Sequence, residues 1–193
     1  MSLDNTVTFF KELDTQLFLV INGAHSHFFD VCMHYISSKF FWIPFYVFLL
    51  VLLLKKHKQQ TWLILVFVAL IISISDQACL HLFKNVFMRY RPCHNLLLVS
   101  KIHLVDGCGG QYGFVSSHAA NTFALAYFVV ALLKDNYKYI SLLYIWAALV
   151  AYSRIYLGQH FPADCFVGAI LGLTISYFVT KFYTYSRTKI YAV

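Results

Sequence analysis

Charge is scarce in this chain: charged residues make up 12% of its 193 residues, with eight Asp and Glu against fifteen Lys and Arg. That is about half of what an ordinary soluble domain carries. With 60% hydrophobic residues, the composition argues for a protein that lives in a membrane. Proline is rare, at three residues. No Pro-, Gly- or Ser-rich linker divides the chain, so residues 1–193 read as one integral-membrane helical domain. Repeats and low-complexity tracts are absent. Five cysteines and nine histidines show no zinc-ligand spacing, and neither a metal, a cofactor nor a nucleic-acid partner is expected.

What the chain does have is long apolar runs. Crossing the hydrocarbon core takes about 20 apolar residues, and five stretches approach this length: 39–54, 61–87, 117–134, 138–157 and 163–183. All are read as helices, because an open sheet leaves backbone groups unsatisfied in lipid. The expected fold is all-α, a polytopic bundle of five or six transmembrane helices with an N-terminal interfacial helix. In residues 1–37, Phe10, Leu13, Leu17 and Ile21 recur at helical spacing, with Asp4, Glu12 and Asp14 directed elsewhere. This predicts an amphipathic helix lying on the membrane, then a short apolar segment at 28–36.

Lys55, Lys56, Lys58, Lys134, Lys138, Arg187 and Lys189 fall at the same ends of the runs. The positive-inside rule makes that side cytoplasmic. The 88–116 loop and the 157–162 hairpin then share the opposite face, the periplasmic one if the membrane is a bacterial inner membrane. Arg89, Arg91 and Lys101 oppose the charge bias there; headgroup anchoring is the bland account of them, and it is disfavoured because Arg91 also belongs to a patterned block.

The remaining polar residues are patterned. Lys84 and Arg91 stand seven apart, two turns of the run ending near Pro92, which predicts that both project from one helix face. Ser116, Ser117 and His118 open the third run, where serines cap a helix and its amides suit a phosphate. Gly107, Gly109, Gly110 and Gly113 precede them in a pliable loop. Arg154 closes the fourth run and offers a planar fork of donors. Gly158 is placed to cap it and Pro162 to start the fifth, leaving His160 in the hairpin. Asp164, four residues on, can fix one ring nitrogen of His160 and leave the other to attack phosphorus.

Three blocks carry a resemblance. Lys84, Arg91 and Pro92 match Lys-x6-Arg-Pro; Ser153, Arg154, His160 and Asp164 match Ser-Arg-x5-His-x3-Asp. Ser116 and His118 match half of Pro-Ser-Gly-His, with Val115 and Ser117 at the other two positions. The chain resembles the type-2 phosphatidic acid phosphatases, a family that includes bacterial undecaprenyl-diphosphate phosphatases and shares a site with vanadium haloperoxidases. The resemblance implies metal-free hydrolysis of a lipid phosphate. His160 is then the nucleophile, oriented by Asp164, and His118 the acid. Lys84, Arg91, Ser116, Ser117 and Arg154 hold the phosphoryl oxygens.

Undecaprenyl diphosphate is the first expected substrate, with phosphatidic acid, phosphatidylglycerol phosphate and lipid A phosphates as alternatives. A protein that binds or flips lipid phosphates without cleaving them is the non-enzymatic alternative. Cys93 and Cys108 flank the periplasmic loop and are expected to form a disulfide, whereas Cys32, Cys79 and Cys165 read as small buried hydrophobes. The other histidines, among them His25, His34, His81, His94 and His103, read as interfacial or packing residues. Asp76, inside the second run, is a functional candidate by its depth alone.

Overall fold

A computed structural model describes residues 3–191, and side chains from Asn5 on, so the side chain of Asp4 lies outside the described residues. The chain forms α1 (Leu3–Gly23), α2 (His27–Ser37), α3 (Ile43–His57), α4 (Thr61–Ala78), α5 (Asn85–Phe87), α6 (Ser117–Leu133), α7 (Leu143–Tyr156) and α8 (Pro162–Tyr191). Among the described residues the sole β pairing is an isolated bridge between Tyr90 and Tyr112. Two stretches, Ile43–Phe87 and Pro162–Tyr191, are long and apolar enough to cross a membrane. Ser117–Leu133 and Ile140–Tyr156 are shorter apolar helices. The first long stretch turns at Lys58, whose φ of 48° is left-handed. The Thr61 hydroxyl then bonds the Leu53 carbonyl at 3.3 Å, tying α4 to α3.

The bundle closes on small residues. Ala119, Ala120, Ala124 and Ala126 of α6 are fully buried, and Gly168 and Gly172 of α8 face this helix. A Cβ on Gly172 would lie 2.1 Å from the Ala120 carbonyl oxygen, and one on Gly168 2.6 Å from that of Ser116. In lipid, where apolar surface gains little by leaving its solvent, such backbone approach is what drives helix association. The Ser176 hydroxyl adds a bond to the Ala124 carbonyl at 2.8 Å. Around this seam Phe67, Phe128, Leu133, Ala147, Val150 and Tyr183 form the main core.

Helix α1 turns most of its apolar stripe outward, as a helix lying on a membrane does. Phe10, Leu13 and Leu17 point away from the protein, whereas Asp14, Phe18 and Asn22, spaced at i, i+4 and i+8, are buried against α7 and α8. The amphipathic reading was correct about the period and silent about which face the protein uses. Polar groups go inward because only the protein offers them partners. Asn22 donates to the carbonyls of His103 and Tyr156, both at 2.7 Å, and accepts from the His103 amide. Helix α2 is latched to the same loop by His34 with Asp106 (2.6 Å) and His103 with Asp30 (3.0 Å). These histidines find carboxylates in other segments, which no fixed sequence offset reveals.

Gly172→Ala is expected to lower the melting temperature in detergent, at a cost on the order of 1–3 kcal/mol for overpacking. Gly110→Ala, where an added Cβ meets nothing within 4 Å, should leave it unchanged.

Candidate active site

Five segments meet at one end of the bundle, and each is turned there by local chemistry. Gly158, at φ 80°, ends α7 in a conformation that suits glycine, and Pro162 begins α8. Ser116 is the N-cap of α6, its hydroxyl accepting from the Ala119 amide, and its own amide bonds the Asp164 carbonyl at 2.9 Å. The Ser117 hydroxyl accepts from Lys84 Nζ at 3.0 Å.

His160 sits in the α7–α8 turn with 1% of its surface exposed. Its Nδ1 lies 3.4 Å from Asp164 Oδ2, which also accepts the Phe161 amide at 3.0 Å. That arrangement engages Nδ1 and leaves Nε2 as the available nitrogen. Burial, and then the charges of Arg91, Arg154 and Lys84, hold the His160 pKa well below the ordinary histidine value. Gly113 is what permits this closeness: a Cβ there would stand 2.9 Å from Asp164 Oδ2, 3.1 Å from Arg91 Cγ and 3.5 Å from His160 Nδ1.

Lys84 and Arg91 do not share a helix face. After Ala78 the helix widens into a π segment, Cys79–Lys84, a form that recurs at functional sites. It ends at Phe87, with Met88 left-handed at φ 44°. Arg91 is extended, its amide bonded to the Gln111 carbonyl at 3.2 Å, and Pro92 opens a 3-10 turn instead of stopping a helix. The two cations therefore arrive by different routes. Cys93 and Cys108 are joined in a disulfide with Cα atoms 5.8 Å apart. Beside it Gly109, at φ 70°, packs against the Arg91 guanidinium.

Arg91 Nη1 reaches the Gln159 carbonyl at 3.5 Å, and the Arg154 guanidinium bonds the Ser37 hydroxyl and the Gln159 side-chain oxygen. The Nε atoms of both arginines are buried without a protein acceptor. Buried donors without acceptors are costly, and the oxygens of a phosphoryl group are acceptors of the right kind.

Arg89 and Asp14 were missed by the sequence reading. Arg89 donates to Asp164 Oδ1 at 2.9 Å and to Asp14 Oδ2 at 2.6 Å, and lies over the Phe161 ring at 4.1 Å. Asp14 Oδ1 accepts the Ala163 amide at 2.8 Å, capping the start of α8 from another helix. Asp14, Phe18 and Asn22 share a helical period, and that was the one signal available for them. Four cations (Lys84, Arg89, Arg91, Arg154) thus face two carboxylates (Asp14, Asp164), which leaves the pocket positive and suited to an anion. Among the described residues no group of three or more His, Cys, Asp or Glu is arranged to hold a metal ion.

Ser117 and His118 also form one end of a cavity of about 830 Å³ between α3, α4 and α6, otherwise lined mostly by aliphatic residues such as Leu50, Leu65, Val68 and Leu125. An anion pocket therefore adjoins an apolar cavity wide enough for hydrocarbon chains.

Comparison with known proteins places these features in context. The family model described as PAP2 superfamily matches residues 63–188. A lipid A 4'-phosphatase of Bacteroides thetaiotaomicron is 37% identical over 86% of this chain and 75% of its own length. An undecaprenyl-diphosphatase of Sulfolobus acidocaldarius is 28% identical over 85% of this chain and 75% of its own. The crystal structure of Aquifex aeolicus LpxE superposes with a TM-score of 0.64 at 26% identity, covering 88% of this chain and 95% of that one.

Two outcomes follow from the Asp164 environment. Arg89→Gln should lower turnover by about 10–100-fold, the usual cost of removing a supporting partner. Asp14→Asn, which keeps an acceptor for the Ala163 amide, should cost less. Because the folded state holds the His160 pKa down, the unfolded chain alone takes up its proton below about pH 6.5. His160 should therefore subtract stability as pH falls through that value, and melting temperatures of the His160→Gln variant should depend less on pH between 7 and 5.

Proposed function

Because the chain belongs to the PAP2 superfamily and is a lipid phosphatase of that type, we propose that it dephosphorylates an acylated glycolipid of the lipid A kind through a phosphohistidine intermediate. In this reading His160 Nε2 attacks phosphorus while Asp164 holds Nδ1. The P–O bond to the lipid breaks and His118 delivers a proton to the leaving oxygen. His118 then takes a proton from water, which attacks the phosphohistidine and releases phosphate. Lys84, Arg91 and Arg154, with Ser116 and Ser117 at the α6 N-terminus, hold the three nonbridging oxygens. Their fixed charge neutralises the transition state without a metal ion.

The observation that carries the proposal is a juxtaposition: an oriented, buried imidazole within the field of Arg91, Arg154 and Lys84, and beside it an apolar cavity with Ser117 and His118 in its wall. The cavity suits hydrocarbon chains, and the cation cluster suits a phosphoryl group. The choice of lipid departs from the first expectation. Identity is higher to the lipid A 4'-phosphatase, at 37%, than to the undecaprenyl-diphosphatase, at 28%. That favours the glycolipid over the prenyl diphosphate. We place the site on the periplasmic face of a bacterial inner membrane on the charge asymmetry of the loops, in a bundle of five or six spans.

Phosphate release from a panel of phosphorylated lipid A, undecaprenyl diphosphate and phosphatidic acid tests this reading. Lipid A is expected to turn over fastest, with no loss in EDTA. His160→Ala should abolish release and retain lipid binding, and Arg91→Ala should reduce turnover about 10²–10³-fold. Undiminished hydrolysis by His160→Ala would reject the nucleophile, and chelator sensitivity would reject the metal-free chemistry.

A further inference from the structure

Asp76 takes no part in the mechanism above, yet it stands in the wall of the apolar cavity. It lines that cavity from α4 together with Asn121 of α6. Asn121 Nδ2 donates to Asp76 Oδ1 at 2.9 Å. This bond fixes the Asn121 amide: its nitrogen must face the carboxylate, so its oxygen faces the other way, where it is buried without a partner. An unpaired buried amide oxygen is destabilising, a penalty that leucine at this position would avoid. The return is an oriented carboxylate. Asp76 is exposed, and its second oxygen, Oδ2, has no protein donor among the described residues.

Depth decides what this oxygen meets. Asn121 follows His118 by three residues, so the pair lies about 4.5 Å further along α6 at 1.5 Å per residue. It also lies within electrostatic reach of Lys84. This is the level at which a phosphorylated head group gives way to its chains. An acceptor here calls for a donor on the substrate. A prenyl chain has none, an ester linkage has only acceptors, and an amide linkage presents an N–H. Lys39, the other charged residue lining the cavity, is a donor and does not compete for this role.

We propose that Asp76, braced by Asn121, is a specificity residue that accepts a hydrogen bond from the N–H of an amide-linked acyl chain next to the phosphorylated head group. The assignment rests on the glycolipid reading given above. It makes the cavity selective by linkage chemistry and not by chain length alone, since an unmatched carboxylate beside an ester is left without a donor.

The test uses two synthetic glucosamine 4-phosphates of equal chain length, one acylated through an amide and the other through an ester, in detergent micelles. The wild-type protein should favour the amide lipid in kcat/KM by roughly tenfold or more, as for a hydrogen bond to a charged group. Asp76→Ala should bring the ratio close to one, and so should Asp76→Asn, whose oxygen stays with Asn121 Nδ2 and whose NH2 replaces the free Oδ2. Equal turnover of the two lipids by the wild type, or equal loss on both in Asp76→Ala, would overturn the assignment while leaving the glycolipid reading in place. No release from either lipid would instead overturn the glycolipid reading and this inference with it.

Discussion

The Asp164 carboxylate is the point on which the site is built. One oxygen takes the Arg89 guanidinium; the other takes the Phe161 amide and faces His160 Nδ1. Its backbone carbonyl accepts the Ser116 amide, so the same residue also positions the cap of α6. A carboxylate with no exposed surface is tolerated only when its charge and lone pairs are matched. Here matching it draws in the loop after α5, the α7–α8 turn and the starts of two helices. Organisation of the imidazole and burial of the acid are thus two aspects of one arrangement.

The packing that supports this point is of the kind a membrane favours. Gly168 and Gly172 let α8 approach the α6 backbone, and that contact brings the Ser116 amide to Asp164. Gly113 does the equivalent on the loop side by leaving room for Arg91, Asp164 and His160 to touch the same space. Close backbone approach, rather than large apolar side chains, sets the distances in the site.

Much of this was legible in the residues. The apolar runs marked the helices from α3 onward to within about five positions, except that α8 continues to Tyr191 where the run was expected to end at 183, and Gly158 and Pro162 marked the turn that carries His160. Spacing alone placed His160 beside Asp164, because i and i+4 meet on a helix end whatever surrounds it. What failed were inferences that needed the path of the backbone. Continuing the α4 period to Arg91 assumed regular α geometry, but the π segment and the left-handed Met88 intervene. Arg89 carried no role in the sequence because its partners, Asp14 and Asp164, are 75 residues away on either side. The docking of the polar side of α1 on the protein was equally hidden, since an amphipathic period does not name the partners of Asp14 and Asn22.

The reach of α1 has a consequence for what counts as the catalytic unit. The family model begins at residue 63, whereas the oxygen that caps α8 and the charge that holds Arg89 both come from Asp14. In this chain the boundary of the shared family region is not the boundary of the working machine. A segment outside the stretch that the family model matches thus supports the residues inside it, so a chain shortened there would need another acceptor at the same place.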